Sequence, residues 1–155
     1  MDNTSVVNLI KMFQESNDTY GKIMQILREN NYQNKDIIVN HIKNLMTSIF
    51  CIEDEVIQYR LKKILNEKHP FIPTIDPNSV ANKNNSPNTI FDIFQKFISQ
   101  RMELLQILTS IPNDAWERTG VHATEGHLPF YEFVRRMIEK DSGNISQLKS
   151  RIPLN

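Results

Sequence analysis

Four long segments of this chain each carry apolar residues on one helical face, and a gap of about twenty residues rich in proline and asparagine separates the second from the third. Over about 4–29, Val6, Ile10, Phe13, Tyr20, Met24 and Leu27 share a side, with Asn17 interrupting the stripe. Over about 34–66, Ile38, Ile42, Leu45, Ile49, Ile52, Val56 and Tyr59 alternate at three and four, a narrow seam suited to bundle packing. The third helix is expected over about 88–110 on Ile90, Phe94, Phe97, Leu104 and Leu108, with Phe91, Ile98 and Leu105 widening the face. The fourth, about 129–149, opens at Pro129 and carries Phe130, Val134, Met137, Ile145 and Leu148. Ser142-Gly143 weakens its last third, since an interior glycine costs about 1 kcal/mol against alanine.

Single apolar faces are buried economically when they converge on one core, so the expected fold is all-α, a four-helix bundle forming a single domain over 1–155. The gap from Glu67 to Pro87 contains four prolines and reads as irregular loop. It is far longer than the two to eight residues, roughly, that join antiparallel neighbours, so it can run back along the bundle and leave helices two and three parallel.

Eighteen basic residues balance eighteen acidic ones, which gives no overall field toward nucleic acid, an anionic membrane or a charged substrate. Neither nucleic acid nor a membrane is expected as a partner. Cys51 is the only cysteine, which excludes an internal disulfide and a thiolate-rich zinc site and fits a cytoplasmic location. No stretch approaches the roughly twenty apolar residues of a spanning helix, and no leader is apparent behind Asp2.

The most specific run lies between helices three and four: Ile111-Pro-Asn-Asp-Ala-Trp116-Glu-Arg118-Thr-Gly120-Val-His122, with Gly126 four residues on. Helix two ends Glu53-Asp-Glu-Val-Ile-Gln-Tyr59-Arg60-Leu61, and helix three holds Phe97-Ile-Ser-Gln-Arg101 before Leu104-Leu105. With these features in this order, about residues 35–150 resemble the DinB-like family of bacterial four-helix bundles. The resemblance implies a bundle that commonly holds a divalent metal through one histidine of helix two and a His-x-x-x-His pair of helix four. Residues i and i+4 lie one turn apart on one face, so both imidazoles can reach one ion.

Here the corresponding helix-four positions are Lys140 and Asn144, with Asp141 retained between them. The helix-two position is either His41, the only histidine of that helix, or Ile49, which keeps the spacing to Tyr59-Arg60 and lies in the centre of the seam. A lysine cation repels a metal and an asparagine carbonyl is a weak ligand, so the family's site reads as degenerate and no cofactor is expected. Zinc or nickel at a displaced site is the alternative.

The Lys140 ammonium could replace the missing ion's charge by pairing with Asp141 or Glu53, but a surface lysine is the simpler reading. Arg60 and Arg101 could bind an anion between parallel helices, and pairing with carboxylates such as Glu53 or Glu103 takes precedence. Asp141, Tyr59, Arg60 and Arg101 are thus candidate pocket residues. Cys51 is read as buried and inert, and His69 carries no signal. Trp116, Arg118, Gly120 and His122 are read as a structural motif holding the connection to helix four.

The resemblance implies thiol-dependent transferase or hydrolase chemistry where a metal is present, and self-association as a dimer. For this chain the expectation is a binding or interaction module of unknown small-molecule ligand. A metal-dependent enzyme using His41, Asp141 and a carboxylate of Glu53-Asp54-Glu55 is kept as the alternative.

Overall fold

The computed structural model describes residues 2–30, 36–78 and 89–152. Its long elements are α1 (Asn3–Glu29), α2 (Asp36–Val56), α4 (Ile90–Ser110) and α5 (Phe130–Arg151), with a π turn (Ile57–Leu61) and a short α3 (Lys62–Asn66) continuing α2. The bundle expected from the four apolar faces is present. Asp2 caps α1 by accepting from the Thr4 N–H at 3.1 Å. Thr89 and Asp92 form a capping box at the start of α4, which supplies two orphan donors of the first turn with acceptors.

Two buried clusters fix the helix directions. One gathers the first half of α1, the end of α2 with α3, the last half of α4 and the first half of α5, on Phe13, Leu61, Leu108 and Phe130 among others. The second gathers the opposite halves, on Leu27, Met46, Phe94 and Leu148. α2 and α4 therefore run in the same direction, as do α1 and α5. The main packing partners of α1 and of α2 are α4 and α5.

Tyr59 departs from its expected place in the seam. It is exposed, while Ile57 and Leu61 are buried. The π turn adds a residue to the helical turn, which rotates the downstream residues by about 100° and carries Tyr59 off the core face. α5 continues through Ser142-Gly143 to Arg151, two residues past its expected end near 149. Burial of Leu148 and Ile152 beyond the glycine is worth more than the roughly 1 kcal/mol that glycine costs.

The all-α reading misses a small sheet. β1 (Phe71–Ile72), inside the segment read as irregular, pairs in parallel with β2 (Thr119–His122), which pairs antiparallel with β3 (Gly126–Pro129). Strands of two to four residues are too short to leave a period-two pattern. The rest of that connection, residues 79–88, lies outside the described residues.

The sheet accounts for the irregular run. Trp116 is buried and meets Phe130 edge to face at 5.3 Å, and the Phe130 N–H donates to the Arg118 carbonyl at 2.7 Å. Arg118 donates from Nε to the Ile64 carbonyl and from Nη2 to the Glu67 carbonyl, both at 2.9 Å, supplying partners at the C-terminal end of α3. His122 Nδ1 accepts the N–H groups of Thr124 and Glu125 at 3.2 Å each, shaping the hairpin that turns at Gly126, whose φ is +75°. Arg136 of α5 pairs with Glu125 of the hairpin and with Glu132, whose carboxyl is held down at about 2 chiefly by its hydrogen bonds from Arg135.

Gly120 lies against Ile72 and Ile64, where an added Cβ would come within 2.8 and 2.9 Å of their Cγ1 atoms. Both isoleucines are fully buried and cannot withdraw freely. Gly120→Ala is expected to destabilise the protein by about 1–3 kcal/mol through overpacking. Thermal melting of the variant checks this, and an unchanged midpoint would show that the sheet slides to make room.

Candidate functional site

Each long helix carries one polar residue within its apolar face near mid-length, and these four meet between the two hydrophobic clusters. They are Asn17 of α1, Glu53 of α2, Arg101 of α4 and Asp141 of α5. Glu53, Arg101 and Asp141 are buried to 6%, 1% and 2% exposure, so their charges must satisfy one another.

Arg101 uses all five of its N–H groups. Nε donates to Glu53 Oε2 at 3.0 Å and Nη2 to Glu53 Oε1; Nη2 also donates to Asp141 Oδ1 at 2.6 Å. Nη1 donates to Asp141 Oδ2 at 2.8 Å and to Asn17 Oδ1 at 3.2 Å. The guanidinium thus forks two carboxylates at once, a geometry an ammonium could not match. Its carbon stands 4.7 to 5.0 Å from the ring centroids of Phe97, Phe13 and Tyr20, a cationic head enclosed by aromatic faces. The Tyr20 hydroxyl donates to Asp141 Oδ1 at 3.2 Å.

Burial disfavours the charged guanidinium, but the two carboxylates outweigh it and hold Arg101 above its ordinary range. One guanidinium cannot neutralise two carboxylates. Burial accordingly pushes Glu53 up from its ordinary 4.5, against the opposing pull of Arg101. Burial also lifts the Tyr20 phenol far above its usual value, with Asp141 adding to the effect.

The raised Glu53 predicts a pH slope. Between 4.5 and its higher folded value, the folded protein holds a proton that the unfolded chain has released. Stability from this group is complete below 4.5 and is lost as pH rises through the folded value. Glu53→Gln should flatten the fall in melting temperature as pH rises above 4.5, relative to the parent. Equal slopes in the two proteins would remove Glu53 as its source.

Above the cluster, between α2 and α5, lies a cleft of about 250 Å3. Its walls are Leu45, Ile49, Ile52, Val56 and Met137, and its polar lining is Ser48, Lys140, Asn144 and Gln147. Glu53 and Asp141 form part of its surface, joining it to the charge cluster, and Pro77 of the long connection also lines it.

No family model and no curated protein matches the sequence. A solved structure does match: YfiT from Bacillus subtilis, described as a probable metal-dependent hydrolase with an unusual four-helix bundle topology. The two share a TM-score of 0.67 and 12% identity, over 97% of this chain and 87% of that one. The fold is that of YfiT. At this identity the likeness concerns the fold alone, and it agrees with the topology that the DinB-like resemblance implies.

Within this YfiT-type bundle, Ile49, Lys140 and Asn144 line one cleft. His41 does not. It is exposed and lies twelve residues before Glu53, about 18 Å along the helix, so it cannot join Asp141 in a displaced site. Of the four candidate pocket residues, Asp141 and Arg101 are together, while Tyr59 and Arg60 stand apart. Tyr59 is exposed, and Arg60 donates to the Pro73 carbonyl at 3.3 Å with its head 5.9 Å from the Phe133 ring centroid. Arg101 pairs with Glu53, whereas Glu103 is exposed.

Lys140 pairs with neither Asp141 nor Glu53. Arg101 already occupies both carboxylates, and Lys140 is exposed at the cleft. Asn17 is the functional neighbour that sequence reasoning noticed only as an interruption; a polar residue inside each apolar stripe was the available signal.

The residues at the cleft do not fit a divalent ion. Ile49 offers no donor atom, Lys140 is a cation and Asn144 supplies one amide oxygen, while all four nearby carboxylate oxygens accept from Arg101. Among the described residues, no three His, Cys, Asp or Glu side chains are grouped to hold a metal. Also among them, no helix is long and apolar enough to cross a membrane.

Proposed function

We propose that this protein is a small-molecule-binding module on the YfiT-type bundle, taking its ligand in the cleft between α2 and α5 without a resident metal. The observation that carries this reading is the double fork of Arg101. Its guanidinium commits the carboxylates of Glu53 and Asp141, the strongest metal donors near the cleft, to a charge network inside the fold.

With those oxygens committed, the cleft offers apolar walls and neutral or cationic polar groups. That composition suits binding an organic molecule, because a few polar groups orient what the apolar walls hold. A thiol-activating reaction would need an ion to stabilise the thiolate near neutral pH, and the described residues of the cleft supply no donor set for one.

The second reading is a metal-dependent hydrolase, favoured by the description of YfiT. Counting metal in protein purified without a polyhistidine tag separates the two. Less than about a tenth of an equivalent of zinc or nickel, before and after incubation with either ion, is expected. Near-stoichiometric, dialysis-resistant metal would overturn the binding-module reading.

A further inference from the structure

We infer that the cleft between α2 and α5 recognises a small monocarboxylate with a short apolar chain, held by Lys140 and Asn144 at its head and by Ile49, Ile52 and Met137 along its tail. The inference rests on the reading of this cleft as a metal-free binding site and adds the class of ligand.

The charges around the cleft select the head group. Lys140 is the one basic residue lining it among the described residues, and none of the ion pairs among those residues involves it. The acids that face it, Glu53 and Asp141, are forked by Arg101, which leaves the ammonium available to an incoming anion. Asn144 and Gln147 follow Lys140 at four and seven residues, so their amides line the same helical face one and two turns on. One cation with neutral amide donors matches a single negative charge. A phosphate carries nearly two charges and favours bidentate arginine, a helix N-terminus or several lysines, and among the described residues the cleft has none of these. The carboxylates below repel an anion placed against them, so the head belongs at the Lys140–Asn144 end.

The tail is selected by the walls. Ile49, Ile52 and Val56 on α2 and Met137 on α5 give the cleft its apolar lining, and the carboxylates that interrupt it, Glu53 and Asp141, are turned to Arg101. The volume of about 250 Å3 falls below the range of roughly 300–1,000 Å3 usual for drug-sized ligands, which favours a molecule of about ten heavy atoms or fewer.

The experiment is isothermal titration of the tag-free protein with hexanoate, hexan-1-ol and hexylamine, which share a tail and differ in the charge of the head. Hexanoate is expected to bind at least tenfold more tightly than either of the others. Lys140→Met should erase that preference, and Lys140→Arg should keep it. Ile49→Phe, which fills the cleft, should weaken hexanoate at least tenfold. Thermal melts accompany each variant, and a variant that fails to fold is replaced by titrating the parent in rising salt, which must weaken hexanoate and leave hexanol unchanged. Equal or tighter binding of the alcohol or amine, unaltered preference in Lys140→Met, or no binding of any probe overturns the inference. Bound metal overturns the underlying reading instead, so the two failures are distinguishable.

Discussion

Arg101→Met is expected to lower the melting temperature by 10 °C or more. The substitution keeps much of the side-chain length but leaves two carboxylates, 6% and 2% exposed, facing each other without a counter-charge. Removing one partner of a buried ion pair costs about 3–5 kcal/mol, and here one residue partners two. For a chain of 155 residues each kcal/mol moves the midpoint by about 2–4 °C. Glu53 would take up a proton to relieve the repulsion, so the variant should recover part of its loss at acid pH relative to neutral pH. The triple variant Arg101→Met, Glu53→Gln, Asp141→Asn should melt above the single one, because the charges leave together. A single variant within about 3 °C of the parent would mean that water or rearrangement satisfies the carboxylates.

The second large effect is a gain. If Ile49, Lys140 and Asn144 stand where the DinB-like frame carries its histidines, then Ile49→His, Lys140→His, Asn144→His should create a zinc site. Positions 140 and 144 lie one turn apart on α5, and position 49 faces them across the cleft. Without metal the variant should melt below the parent, since an imidazole replaces the buried Ile49. Zinc at a thousandfold excess over its dissociation constant should add about 4 kcal/mol, or roughly 8–16 °C. Calorimetry reads the stoichiometry. Failure to bind one equivalent would place the frame's ligand positions elsewhere in this chain.

The long helices were legible because their seams repeat over many turns, and the long connection announced parallel packing of α2 and α4. Other features left no periodic trace. The sheet depends on strands of two to four residues, and Gly120 signals it only through its close approach to Ile64 and Ile72. Tyr59 fitted the seam by spacing alone, but one π turn changed its phase. Asn17 was visible as an interruption of its apolar stripe, and Glu53, Arg101 and Asp141 as candidates for an ion pair or a pocket. Their meeting was not visible, because it depends on how four helices align along the bundle. Lys140 and Asn144 were singled out together through helical spacing, and Ile49 through its place in the seam.

The connectivity also bears on how this bundle forms. Helices that follow one another in sequence are not the chief packing partners: α1 and α2 each pack against α4 and α5, about 55 to 125 residues further along the chain. Among the described residues no two consecutive long helices form a main packing pair, as they do in an up-and-down bundle. The core closes only when distant parts of the chain find each other, so folding should be slower than that of a locally connected bundle of equal length.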